Sequence, residues 1–188
     1  MEILKAIWDF AGPWTFWIAL ALIVIITTSV QTFIGKKKAK TGEDKARIHK
    51  ILATVMGEGA SYVPVYVRRI DTQRHCERYY FYAIAMQEER MVIVPLSFAD
   101  KEIGYGTPFE VRKEHLKEIQ IARKMEAKTN VFNFTDKTPK KLFTLYLNAV
   151  EVCTDKVKEP VNLFQEEEAL AFSKIIFRWR DELKKENQ

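Results

Sequence analysis

The stretch RYYFYAIAMQEERMVIVPLSF (residues 78–98) holds two apolar runs, rich in aromatic and β-branched residues, around a polar QEE. Runs of this composition with so short a break predict a β-hairpin turning at residues 87–90. A parallel return would need a crossover of a dozen residues or more, so the pair must be antiparallel. Both runs are apolar on alternate and intervening positions alike, which predicts that they are central and covered on both faces.

Working back from this hairpin, YVPVYVRRI (residues 62–70) is again β-branched and aromatic, and Pro64 marks it as an edge strand or a strand start. Before it, residues 41–56 carry Ile48, Ile51, Leu52, Val55 and Met56 at three- and four-residue spacing, the pattern of a helix with one apolar face. Thr41 with Asp44 three positions on predicts a capping box at its start, and GEG at 57–59 ends it. Working forward, a loop is expected around Gly104, Gly106 and Pro108. Beyond it, Ile119, Ile121 and Met125 share one strand face, Phe132 and Phe134 another, and Phe143, Leu145, Leu147 and Ala149 a third. DKTPKK (residues 136–141) joins the last two strands as a second hairpin. The chain then changes period. Residues 165–185 place Glu166, Glu167 and Glu168 in a first helical turn and Lys184 and Lys185 in the last, as the helix dipole favours. Ala169, Phe172, Ile176, Trp179 and Leu183 form the buried stripe of that helix.

The expected fold class is therefore α+β: six or seven mostly antiparallel strands, a sandwich or partly open barrel, closed by a C-terminal amphipathic helix. That element order over residues 62–185, with Trp179 in the closing helix, resembles the bacterial-type pleckstrin-homology-like (PH-like) domain. The resemblance implies a bent sheet plugged at one end by its last helix.

Ahead of this domain lies WTFWIALALIVIITTSVQTFIGKKK (residues 14–38). Residues 14–34 carry no charge, and a helix of that length covers about 30 Å, the thickness of a bilayer's hydrocarbon. Phe10, Trp14, Phe16 and Trp17 gather at its start like an interfacial aromatic belt, and Pro13 suits a first helical turn. A signal peptide would have a basic leader and a small-residue cleavage site, whereas this leader holds Glu2, Lys5 and Asp9 and the apolar run ends in lysines. The basic cluster Lys36, Lys37, Lys38 and Lys40 sets the topology, because positive charge beside a span stays in the cytoplasm. The expected organisation is an extracytoplasmic leader (1–13), a transmembrane helix (14–34), a basic linker with an amphipathic helix (35–60), and a cytosolic PH-like domain (61–188). The expected localisation is the cell membrane, single-pass, with the N-terminus outside.

The chain has 188 residues and a net charge of +5, with its charges interspersed. That is not the concentrated basic footprint of a nucleic-acid binder, and no nucleic-acid partner is expected. Two cysteines, Cys76 and Cys153, are too few for a disulfide framework. Seven glycines form no phosphate-cradling loop, and neither a nucleophile elbow nor a metal-binding histidine helix occurs, so no cofactor and no catalytic set are expected. The candidate lipid- or partner-facing residues are Arg68, Arg69, Arg74 and Arg78, which fall where phosphoinositide-binding members of the resembled family carry basic residues. Their spacing departs from the family's lipid-binding pattern and lysine is absent, so solvated strand ends explain them as well. The functional expectation is a membrane-anchored, non-enzymatic interaction domain, an accessory subunit or scaffold with a protein partner. The alternative is an inner-leaflet sensor of anionic lipid, and a remote one is an enzyme using Cys76 with His75 or His115.

Overall fold

A computed structural model of the chain describes residues 2–73, 76–99, 102–124, 129–138, 142–153, 155, 157–158 and 160–187. Two helices lead the chain, α1 (Glu2–Thr41) and α2 (Glu43–Met56). Then come β1 (Val63–Gln73), β2 (Cys76–Met86), β3 (Arg90–Ala99), β4 (Glu102–Tyr105) and β5 (Phe109–Arg112). A 3-10 turn at Lys113–His115 leads to β6 (Leu116–Lys124), β7 (Thr129–Asp136), β8 (Leu142–Asn148), β9 (Val150–Glu151), β10 (Leu163–Phe164) and α3 (Glu166–Glu186).

The predicted central hairpin is present. β2 and β3 pair antiparallel from Phe81↔Leu96 to Met86↔Met91, and Gln87 N–H closes the turn on the Arg90 carbonyl at 2.9 Å. The main sheet runs β4-β3-β2-β1-β8-β7-β6, all antiparallel, with β5 also pairing to β3. It has eight strands and is open, because β4 and β5 at one edge do not pair with β6 at the other. β1 joins the two halves, pairing with β8 at Arg68↔Tyr146 among the described residues. Pro64 sits one residue inside the start of β1, where β8 does not yet pair, so a central strand tolerates the missing N–H.

The loop expected around Gly104 instead contains β4 and β5. Pro95 accounts for the division: lacking an N–H, it cannot donate to an edge neighbour. β5 pairs with Arg90 to Ile93 on one side of it and β4 with Leu96 to Ala99 on the other. Between them Gly106 N–H donates to the Pro95 carbonyl at 2.9 Å.

β2 and β3 are covered on both faces, as their composition requires. Ile84, Met86, Met91 and Ile93 face the interior with Phe132, Phe134 and the α3 stripe. Ala83, Ala85, Val94 and Leu96 face the other way, beneath Ile48, Ile51 and Leu52 of α2. Trp179 is 0 % exposed, and its indole N–H donates to the Glu88 carbonyl at 2.5 Å. The tryptophan thus ties the closing helix to the β2–β3 turn. Met125 and residues 139–141, which the strand and turn readings included, lie outside the described residues.

Two expectations near the N-terminus are corrected. α1 begins at Glu2, so Pro13 lies inside the helix and not in its first turn. Thr41 is the last residue of α1, and its hydroxyl donates back to the Lys38 carbonyl at 2.7 Å. No capping box forms, because Asp44 is drawn to a distant backbone N–H and the break between helices is made by Gly42 at φ 70°, a conformation glycine adopts without strain.

Candidate functional site: the junction of the apolar helix with the sheet

Lysine is a good helix former, so nothing in Lys36 to Lys40 interrupts the helix begun in the apolar segment, and α1 carries on into the domain. Residues 14–31 are all exposed. The hydroxyls of Thr27, Thr28 and Thr32 donate to carbonyls three or four residues back at 2.8–3.0 Å, which removes their polar cost in an apolar setting. α1 is the one helix among the described residues that is long and apolar enough to cross a membrane.

Gly35 and Ala39, one turn apart, are buried where α1 meets the chain between β9 and β10. A Cβ at Gly35 would lie 2.3 Å from Val152 Cγ1 and 3.0 Å from Asn162 Oδ1, so only glycine permits this approach. Asn162 fastens the contact. Its side-chain oxygen accepts Cys153 N–H at 2.9 Å, and its own N–H donates to the Asp44 carboxylate at 2.8 Å. In the first turn of α2, Lys45 pairs with Glu168 of α3 at 2.5 Å. Burial raises the Glu168 pKa, but the Lys45 hydrogen bond, a backbone N–H and the nearby positive charge together outweigh it and hold the carboxyl below its usual value. Beside them, burial and the Lys45 ammonium hold the His49 imidazole below its ordinary 6.5, against the opposing pull of Glu168.

Beneath the contact lies a buried polar network. Glu151 is 2 % exposed and accepts from Asn148 Nδ2 at 2.8 Å, with the Arg68 guanidinium 3.5 Å away. Asn148 Oδ1 accepts the Thr129 hydroxyl at 2.5 Å. Gln165, just ahead of α3, accepts Tyr66 N–H and donates to the Tyr66 and Asn148 carbonyls at 2.7–2.8 Å. That use of the amide explains why Gln165 makes no side-chain cap on the helix it precedes. A chain of contacts thus runs from Gly35 through Val152 and Glu151 to Arg68 in the central strand.

Three of the four candidate arginines, Arg68, Arg69 and Arg78, lie among the described residues. Arg68 turns onto Glu151 and donates to the Lys158 carbonyl at 3.0 Å. Arg69 forks onto Asp71 with both contacts at 2.9 Å. Arg78 is exposed, and Arg74 lies outside the described residues, as does His75. Lys36, Lys37, Lys38 and Lys40 are all exposed on α1. Cys76 is exposed at the start of β2, whereas His115 stands in the turn before β6. Among the described residues no group of three or more His, Cys, Asp or Glu could hold a metal ion.

A second feature is the cleft where the sheet fails to close, about 410 Å³, lined by Tyr82, Ile93, Phe109, Phe143 and Leu145 with Arg69 and Asp136 at its rim. Burial pushes the Tyr82 phenol above its ordinary pKa, and Thr138 N–H holds the Asp136 carboxyl below its own. Phe109 is exposed at the edge of this cleft.

The chain matches no known protein-family model and no curated protein. The residues that build the junction (Gly35, Glu151, Asn162 and Gln165) are not among those singled out from sequence. Only Gly35, a lone glycine between an apolar run and a lysine run, carried any local signal.

Proposed function

We propose that this chain is a single-pass membrane protein whose cytosolic PH-like domain is a non-enzymatic interaction module, an accessory subunit or scaffold of a membrane complex. The observation that carries the reading is α1: exposed at every position and uncharged over residues 14–31, then locked into the domain through Gly35. Such a helix is stable only where something apolar surrounds it, and its lysines set the domain on the cytoplasmic side. The PH-like assignment is supported by an open antiparallel sheet with a terminal helix packed on it through Trp179. The non-enzymatic reading is supported by the way the buried polar groups are spent on one another. The apolar cleft rimmed by Phe109 is the surface on which a protein partner would seat.

The lipid-sensor alternative is weakened by Arg68 and Arg69, whose guanidinium groups are committed to Glu151 and Asp71. A photo-crosslinking residue at position 109 of the full chain, activated in cells, tests the reading. A discrete protein adduct that is absent when the probe sits at exposed Lys174 supports a partner at the cleft. Adducts with lipid alone would replace the module with a lipid sensor.

A further inference from the structure

The sector of α1 that carries no lysine is the one the domain occupies. At about 100° per residue, Lys36, Lys37, Lys38 and Lys40 point around the rest of the helix, while Gly35 faces Val152 and Asn162 and Ala39, one turn on, is buried on the same side. Ile34 ends the apolar run, so Gly35 marks the hydrocarbon edge of an inserted helix, and Ala39 lies one turn, about 6 Å, below it. The polar layer of a bilayer is itself about 5–7 Å deep on each side. The base of the β9–β10 hairpin therefore sits at headgroup level.

Beyond that base the hairpin exposes Val157, which at 70 % is the most exposed large apolar residue outside α1 among the described residues. The turn that presents it is built. Val157 N–H donates to Asp155 Oδ1 at 2.9 Å, and Lys158 N–H to the Asp155 carbonyl at 3.1 Å. Arg68 donates to the Lys158 carbonyl at 3.0 Å, and the Lys158 ammonium stands 5.9 Å over the Tyr79 ring. The inner side of the turn is thus pinned to the sheet, leaving Val157 outward.

We propose that the β9–β10 hairpin is a second membrane contact, with Val157 lodged in the headgroup layer of the inner leaflet and the lysine collar of α1 completing the ring around the span. The hairpin so fixes which face of the domain looks at the lipid and which is left for a partner. This rests on α1 being a membrane span, and the test separates the two. The full chain, with Cys76→Ser and Cys153→Ser, is reconstituted in vesicles of phosphatidylcholine and phosphatidylglycerol. An environment-sensitive fluorophore is placed in turn at Val24→Cys, Val157→Cys and Lys184→Cys, the last about 27 Å along α3 from its start. Lipids bearing a nitroxide at the headgroup or at mid-chain then report depth. The expected result is a blue-shifted position 157 quenched most by the headgroup nitroxide, position 24 quenched most by the mid-chain one, and position 184 by neither. If position 157 behaves like 184 while 24 is deep, the hairpin is in water and the inference fails with the span intact. If position 24 is quenched by neither lipid, the span reading itself fails and the inference with it.

Discussion

Replacing Trp179 by alanine probes how α3 closes the sheet. Trp179 is 0 % exposed and packs with Phe172 and Ile176 of its own helix against β-sheet residues such as Phe132 and Met91. Truncating a buried tryptophan costs about 3–5 kcal/mol from lost transfer energy and the cavity left behind. Loss of the indole bond to the Glu88 carbonyl adds less than about 1 kcal/mol, since that turn reaches water and the carbonyl can be rehydrated. Against a domain stability of about 5–15 kcal/mol this is a large fraction, and for a domain of this size it lowers Tm by about 10–20 °C. Trp179→Phe keeps most of the apolar volume and should fall well short of that loss. Trp179 is the only tryptophan after residue 17, so replacing Trp8, Trp14 and Trp17 by phenylalanine leaves its fluorescence as a private reporter of the domain. Its emission should be blue-shifted in the folded full chain in detergent and should move red in one transition with heat. A Trp179→Ala protein that loses under about 1 kcal/mol would show that α3 does not close this core.

Gly35→Val forces a branched side chain into a 2.3 Å gap, and overpacking of that kind costs about 1–3 kcal/mol, more than the helix propensity it gains. Hydrogen exchange at residues 152–163 should rise while that of α3 stays unchanged; unaltered exchange at 152–163 contradicts the crossing. Arg68→Ala strands the Glu151 carboxylate at 2 % exposure and should cost about 3 kcal/mol, whereas Arg68→Met with Glu151→Gln should cost much less, because no charge is then left buried without its partner. Additive losses in that cycle would deny the pair. His49 has a folded pKa below its unfolded 6.5, so the unfolded chain takes up its proton first as pH falls. The His49 contribution is fully present above about pH 6.5 and shrinks as pH drops through the folded value; His49→Gln should flatten that limb of a stability-against-pH curve, and an unchanged slope refutes it.

Local pattern carried much of the fold. The β2–β3 hairpin announced itself through two long apolar runs and a three-residue break, and the α3 stripe from Ala169 to Leu183 through its spacing alone. β4 and β5 escaped notice because four-residue strands have too little periodicity, and because their division depends on Pro95 in a neighbouring strand. The length of α1 was hidden by the lysines, which read as a linker when weighed for topology and as helix when weighed for propensity. The junction was least legible. Arg68 finds Glu151, and Tyr66 finds Gln165, across most of the domain's sequence, and no local rule pairs residues so far apart. Arg68 looked like surface charge because its partner, Glu151, could not be read from the stretch that carries it.

Membrane topology tests the central claim most directly. In a Cys76→Ser, Cys153→Ser background, single cysteines at Lys5 and at Glu186 are exposed to a membrane-impermeant maleimide, first on intact cells and then after permeabilisation. A single span with the domain inside predicts that position 5 labels in intact cells and that position 186 labels only once the membrane is opened. Labelling of position 186 in intact cells would place the domain outside, and recovery of the chain in the soluble fraction would remove the membrane altogether.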